Sequence, residues 1–506
     1  MGCCGTHGTV ENQKTNKKTV IAKCTTIKSS KAENFKSKQK NTILSLENIS
    51  KITDFKKKYE FVSVIGSGGF GKVRLYKDKM VPDLKYAIKT MKKNYINLHN
   101  LESIVREVSI LMQLDHPNIV KYFETFEDEK YIHIVMEFIP GESLFSVLWN
   151  NKRKISESDM NSIIKYLLKA VAFIHNNEII HRDLKPENIL FSIPGKWSSL
   201  KLIDFGLSIP SDTIENYRVG SPYYMSPEMI DGKYAKSSDI WSIGIILYLM
   251  STGYFPFYGS SLEEVLSNIK NGKLKFDRLK DVNKELIDLV KSMLNLDPDK
   301  RPTANEVLSH YWFTSDLFDD QTDTNNKYID MPLIEALQSF KNNNPIAKEA
   351  LFYLAKISSE EQVLKLKKAF LEIDKDNTGA LEYDEILYTF EKLGIKKSDE
   401  ELRDLYNGLD FHIDGKVNYH EFLAATISTF EFFKEEKIWS AFKYFDPENK
   451  GYITSDSMIT ALKKDSLTAD EYGLKSVFER LDKKGKVNFE EFKAMILKSK
   501  TITTQT

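Results

Sequence analysis

Residues 181–188 read His-Arg-Asp-Leu-Lys-Pro-Glu-Asn, and no other stretch constrains the fold and chemistry of the chain so tightly. This short run holds a carboxylate able to act as a base, a cation able to bind phosphate and an amide able to hold a metal. The apolar run Ile189, Leu190 and Phe191 follows it directly. A polar turn leading into a buried strand is the plain reading. The density of reactive side chains makes a catalytic loop the better one.

With 506 residues and 72 basic against 72 acidic side chains, the chain is too long for one core. Its length suggests about three domains, and its net charge names no partner. No nucleic-acid partner is expected. The longest apolar run, residues 243–250, is too short to cross a bilayer. All three cysteines, Cys3, Cys4 and Cys24, lie in the N-terminal arm. The folded domains are therefore expected to hold no disulfide and no cysteine zinc site, as suits a reducing cytoplasm.

The octet resembles the catalytic loop of eukaryotic protein kinases. That resemblance implies that Asp183 accepts the proton of a substrate hydroxyl and that Asn188 holds magnesium. Lys185, two residues after the base, implies serine or threonine acceptors. Upstream, residues 66–71 read Gly-Ser-Gly-Gly-Phe-Gly between apolar runs that end at Ile65 and begin near Val73. A strand follows these glycines, which favours a lid over nucleotide phosphates rather than the start of a dinucleotide-binding helix. Gly66, Gly68 and Gly71 let backbone amides approach the phosphates. In the family, a strand-end lysine and a helical glutamate, here Lys89 and Glu107, pair to engage the α and β phosphates. Glu137 and Phe138 follow a buried strand into the adenine hinge, with Met136 limiting the pocket behind it. Asp204, at the end of Leu-Lys-Leu-Ile-Asp-Phe-Gly, is the second implied magnesium ligand.

The chain departs from the family pattern at Pro140-Gly-Glu-Ser143, where Glu142 stands one place early and Ser143 fills the slot of a glutamate. Glu187 still offers a carboxylate to a basic substrate residue. In the activation segment, residues 206–228, Glu215 is positioned to neutralise Arg182 without phosphorylation, with phospho-Thr213 as the rival. Arg301 is the expected buried partner of Glu228, and Asp239 opens the helix beneath.

The last third carries loops of another kind. Residues 374–385 meet the 12-residue EF-hand pattern, with oxygen ligands from Asp374, Asp376, Thr378, the Ala380 carbonyl and a bidentate Glu385. A second loop, residues 410–421, keeps Asp410, Asp414, the Lys416 carbonyl and Glu421 but has His412 at its third position, so its affinity should fall. The third has Lys450 and Ser457 at ligand positions, and the fourth, around Asp482, is about two residues short. Both should be empty, leaving about two calcium ions in the first lobe. Leu381, Val417, Ile453 and Val487 should pair the hands through short β bridges.

The opening Met-Gly-Cys-Cys-Gly-Thr matches the N-myristoylation pattern at Gly2, and Cys3 and Cys4 can take palmitate as a second anchor. The lysine excess that follows favours an anionic, cytoplasmic membrane face. Kinase, helical junction and four EF-hand units in this order resemble the calcium-dependent protein kinases of plants and alveolate protists. The expected fold is α+β, a bilobal kinase followed by an all-α calmodulin-like domain. Its expected parts are a flexible arm over 1–58, a kinase domain over 59–313, a linker with autoinhibitory junction helices over 314–357 and the EF-hand domain over 358–500. The resemblance implies a monomer with ATP, magnesium and calcium as cofactors. Its substrates would be protein Ser/Thr near basic residues. The junction would hold the kinase off at low calcium.

Overall fold

The computed structural model describes residues 50–68, 71–92, 98–150, 155–215, 217–274, 276–279, 282–314, 328–427, 434–464, 471–481 and 485–501. The acylation signal at Gly2, Cys3 and Cys4 lies outside them. A six-stranded sheet in the order β1-β5-β6-β4-β3-β2 forms the first lobe. Its strands are β1 (Ser50–Lys51), β2 (Tyr59–Gly68), β3 (Gly71–Asp78), β4 (Lys85–Lys92), β5 (Tyr122–Glu127) and β6 (Tyr131–Glu137). Helix α1 (Ile52–Lys58) joins β1 to β2, and helix α2 (Leu98–Gln113) follows β4.

The last residues of the expected arm, 50–58, pack against the sheet. β1 adds to the edge of β5 as a parallel strand, with Ser50 opposite Phe126. Phe55 of α1 is buried among Tyr59, Tyr76, Phe126 and His133. Lys58 also pairs with Glu124 at 2.6 Å. Residues 50–58 thus belong to the sheet lobe.

The second lobe is helical and surrounds one large core. Its helices include α3 (Leu144–Asn150), α4 (Glu157–Asn176), α5 (Lys236–Thr252) and α6 (Ala304–Leu308). Ser156 caps α4 by accepting from the Asp159 amide, and apolar residues from Met160 to Ile174 recur at helical spacing on its buried face. α5 is apolar all round because it runs through the lobe's centre, and it stops where Gly253 turns left-handed at φ 74°.

Helices α7 (Met331–Phe340) and α8 (Pro345–Lys356) follow. Their apolar side chains join a second core with the EF-hand helices. Those helices are α9 (Glu360–Ile373), α10 (Tyr383–Lys392), α11 (Asp399–Leu409), α12 (Tyr419–Thr426), α13 (Glu435–Phe445), α14 (Ser455–Lys464), α15 (Glu471–Leu481) and α16 (Phe489–Thr501). α8 buries Ile346, Ala350, Leu351, Phe352, Tyr353, Leu354 and Ala355 on several faces, because it packs against α12 on one side and α13 and α16 on another. The hands pair as expected, Leu381 opposite Val417 and Ile453 opposite Val487. No helix among the described residues is long and apolar enough to cross a membrane.

The kinase and EF-hand parts meet through polar contacts. Buried Lys201 lies 3.2 Å from both Glu137 of the hinge strand and Glu360 of α9. Asp115 accepts the His420 amide of α12 at 3.0 Å, and Lys169 of α4 donates to the Leu371 carbonyl at 2.9 Å.

Candidate active site and calcium centres

The cleft between the two kinase lobes collects its charges from distant parts of the chain. Lys89 stands buried within β4, three residues before its end, and its Nζ lies 2.6 Å from Glu107 of α2 and 3.0 Å from Asp204. Burial alone would discharge this ammonium. The two carboxylates outweigh it and hold the Lys89 pKa above its ordinary range. Burial also works against the Asp204 carboxylate, yet Lys89 keeps it below the usual carboxylate range.

Asp204 sits at φ 62°, a left-handed conformation that turns its carboxylate toward Lys89. Gly206 leaves the space: a Cβ there would come within 3.2 Å of both Asp204 Oδ1 and Lys89 Nζ. In the glycine turn, Gly66 is opposite Val73 and Gly68 opposite Gly71 in the β2–β3 ladder, while Val73 faces Lys89 across β3–β4. Gly71 (φ 151°) lies so near β4 that a Cβ would meet the Thr90 carbonyl at 2.3 Å. Ile65 is exposed at the start of this turn. The Glu137 amide donates to the Lys121 carbonyl at 2.9 Å. Phe138 follows where the chain leaves β6.

The catalytic octet is held from below. The Asp239 carboxylate accepts from the His181 and Arg182 amides at 2.9 and 3.0 Å and from His175 Nε2 at 2.9 Å. Asp183 Oδ2 receives Lys185 Nζ at 2.6 Å and Asn188 Nδ2 at 3.3 Å. Its other oxygen accepts from the Ser221 amide and hydroxyl at 3.0 and 2.8 Å. Sequence reasoning missed Ser221, because Gly-Ser-Pro in an activation segment reads as a turn. Gly220, at φ 106°, admits this approach, since a Cβ there would lie 2.7 Å from the Arg182 carbonyl.

Glu215 bridges two arginines, Arg182 at 2.6 Å and Arg106 of α2 at 2.7 Å. Burial pushes its carboxyl up, but these guanidinium hydrogen bonds prevail and lower its pKa. The Arg106 contact was not foreseen. Arg301 grips Glu228 with two parallel bonds of 2.6 and 2.8 Å and lies over the Trp241 ring at 4.9 Å. The departure at 140–143 has a structural role: Gly141 packs so close to the Phe191 carbonyl that a Cβ would stand 1.8 Å away. Ser143 accepts from the Ser146 amide and caps α3.

In the first EF-hand loop, Asp374, Asp376 and Glu385 bring ligand atoms within 4.8 Å of one another. Burial pushes the Asp374 carboxyl up to about 7, with Glu385 and Asp376 adding to the effect against Lys169. Crowded carboxylates and Gly379 at φ 75° fit a hard divalent cation. The Thr378 hydroxyl donates to the Ala380 carbonyl at 3.0 Å, bringing those two oxygens together.

The second loop also gathers Asp410, Asp414 and Glu421, and the Lys416 amide donates to Asp414 at 3.2 Å. His412 behaves differently from a neutral, merely poor ligand. Its ring is buried against Phe352 of α8, with Nδ1 3.0 Å from Glu421 and Nε2 3.5 Å from Glu349. Burial opposes its charge, yet the two carboxylates lift its pKa to about 10. The imidazolium therefore engages the glutamate that would bind calcium through both oxygens. In the third loop, Asp446 accepts from the Lys450 and Gly451 amides, while Ser457 bonds within Thr454. Residues 482–484 of the fourth loop lie outside the described residues.

Residues 59–313 match the protein kinase domain family, and residues 364–427 match the EF-hand domain pair. The chain is 35% identical over 454 residues to calcium-dependent protein kinase 34 of Arabidopsis thaliana, covering 88% of this chain and 85% of that protein. It is 32% identical over 468 residues to calcium-dependent protein kinase 4 of Plasmodium berghei (strain Anka), covering 88% of this chain and 87% of the relative. Cleft, calcium-type loops and these near full-length similarities agree: the chain belongs to the calcium-dependent protein kinases, which are calcium-regulated enzymes that phosphorylate serine and threonine with ATP.

Proposed function

We propose that Asp183 is the base of the transfer, that Lys185 steadies the migrating phosphoryl group, and that Lys89, held by Glu107, orients the nucleotide phosphates. Ile65, Val73, Glu137 and Phe138 border the nucleotide, and Gly66, Gly68 and Gly71 cover its phosphates. Asn188 and Asp204 would hold magnesium, which would supply positive charge to neutralise that of the phosphates. The substrate hydroxyl displaces Ser221 from Asp183 Oδ1 and gives its proton to that oxygen as its bond to the γ-phosphorus forms and the bond from that phosphorus to the β–γ bridging oxygen breaks, releasing ADP. Lys185, already 2.6 Å from Asp183, offers a positive charge beside the acceptor. Glu187 is exposed and supports a preference for nearby basic residues.

Regulation rests on the junction. The carrying observation is that the Lys89–Glu107–Asp204 and Glu215–Arg182 contacts are assembled while α7 and α8 are clasped in the EF-hand core. This arrangement is the active one, with calcium at the first loop favouring the clasp. Without calcium the lobes loosen and the freed junction suppresses the kinase. The second loop loads more weakly because His412 holds Glu421. The enzyme works as a monomer, anchored to the cytoplasmic face of a membrane by a myristoyl group on Gly2, palmitate on Cys3 or Cys4 and the lysine-rich arm.

Phosphorylation of a basic serine peptide by purified full-length protein with magnesium ATP tests the enzyme. Activity should rise on going from chelator to calcium, and equal rates would remove the switch. Gly2→Ala protein should lose its membrane fraction on pelleting; unchanged pelleting would remove the anchor.

A further inference from the structure

Among the described residues, the first calcium-type loop is roofed by the kinase domain, whereas the other three loop glycines face open space. A Cβ on Gly379 would come within 2.2 Å of the Phe173 ring of α4, but nothing lies within 4 Å of the same position at Gly415, Gly451 or Gly485. The kinase also holds the loop's backbone. Asn305 of α6 donates through Nδ2 to the Asp376 carbonyl at 3.2 Å, and its Oδ1 accepts from Asn377 Nδ2 at 3.2 Å. Asn176, the last residue of α4, donates to the Asn377 carbonyl at 3.3 Å. One turn before the loop, Lys169 fixes the Leu371 carbonyl at the end of α9.

The asparagine contacts fall on Asp376 and Asn377, within the run of ligand positions Asp374, Asp376 and Thr378. They grip the part of the loop with the most demanding conformation, Asn377 at φ 55° and Gly379 at φ 75°. The second and third loops reach similar angles without such contacts, at Ile413 and Gly415 and at Asn449 and Gly451; docking adds hydrogen bonds that limit how often the first loop leaves them.

We propose that Asn305 and Asn176, residues of the kinase domain, are positioning residues for the first calcium loop, so that calcium binding there and docking of the EF-hand lobe on the kinase stabilise each other. The coupling is reciprocal by thermodynamic necessity: whatever factor docking adds to calcium affinity, calcium adds to docking. This rests on the reading that the first loop binds calcium. It adds that the affinity belongs to the whole chain rather than to the lobe alone. Both asparagine side chains are exposed and bond outward to the loop.

The test is calcium calorimetry on the full chain carrying Asn176→Ala and Asn305→Ala, with Glu385→Gln and Glu421→Gln proteins assigning the heats to loops one and two. Loss of three hydrogen bonds across the interface should weaken the first loop roughly tenfold and leave the second unchanged. With calcium present, hydrogen exchange at the Thr378 and Gly379 amides should quicken relative to wild type while the kinase melting temperature holds. A first-loop affinity within about twofold of wild type, or equal weakening of both loops, overturns the coupling, since a lost hydrogen bond of this kind should register. Wild-type heats that Glu385→Gln leaves unaltered overturn the calcium assignment itself, and the coupling with it.

Discussion

Replacing Glu215 should disable the enzyme without touching a catalytic group. Arg182 precedes the base, sits at φ 69° and has a side chain only 2% exposed. Its guanidinium is neutralised by Glu215 at 2.6 Å, with the Leu207 carbonyl at 2.5 Å and the Tyr234 ring at 4.7 Å as its other neighbours. Truncating one partner of a buried ion pair costs about 3–5 kcal/mol, because the remaining charge stays desolvated. Arg106, at 24% side-chain exposure, can turn to water and adds little. The lower bound of that range is about a hundredfold in the population of the assembled segment. Glu215→Ala should therefore lower kcat/KM for a serine peptide by about a hundredfold at saturating calcium. Glu215→Gln keeps an acceptor oxygen and should lose about tenfold. Thr213→Ala should stay near wild type.

The pH profile separates the two carriers of charge. Because the Glu215 pKa is lowered in the folded state, its support is complete above the ordinary carboxyl value of about 4.3 and fades only as pH falls through the lower folded value. A phosphate in the same role, with a second pKa near 6, would weaken between about pH 7 and 5. Wild-type and Thr213→Ala profiles should overlay down to about pH 5.5. An active Glu215→Ala enzyme, or an inactive Thr213→Ala one, would refute this reasoning.

Three further outcomes follow from the geometry. Ser221→Ala removes the hydroxyl that accepts from Lys185 Nζ at 3.0 Å and so loosens the cation beside the phosphoryl group, and peptide kinetics should show kcat about fivefold lower with the KM for ATP unchanged; an unaltered kcat counts against a role for Ser221. Arg301→Lys breaks the two-pronged bond to Glu228, and scanning fluorimetry should record a melting temperature lower by about 5–10 °C, whereas no shift would mean that the pair is not structural. His412→Asp with Glu349→Gln frees Glu421 and adds a ligand, so calorimetry should find the second loop at least about tenfold tighter, and an unchanged affinity would show that His412 is not what holds it open.

Much of this molecule can be read where function is written in contiguous residues. The octet at 181–188, the glycine turn and the first EF-hand loop each compress several roles into one short run, so their chemistry survives without coordinates. Glu215 was legible as a charge near an arginine, but its second partner, Arg106, comes from a helix more than a hundred residues upstream. His412 was visible as a foreign residue in a ligand slot. Its partner Glu349 could not be seen, because only the packing of α8 on α12 brings that carboxylate to the ring. The packing of residues 50–58 on the sheet was hidden for the same reason: Ser50 and Lys51 make no recognisable strand until β5 offers an edge, and Phe55 is buried only by tertiary contacts. The seating of the first loop on α4 and α6 likewise carries no local signature, since exposed asparagines are commonplace.

The most direct test of calcium control is the rate of peptide phosphorylation measured against free calcium for wild-type and Glu385→Gln full-length protein. Wild type should be nearly silent in chelator and rise with calcium. The Glu385→Gln curve should move to calcium concentrations at least about tenfold higher, since it loses a bidentate ligand. Equal wild-type rates in calcium and chelator, or superimposable curves for the two proteins, would contradict control through the first loop.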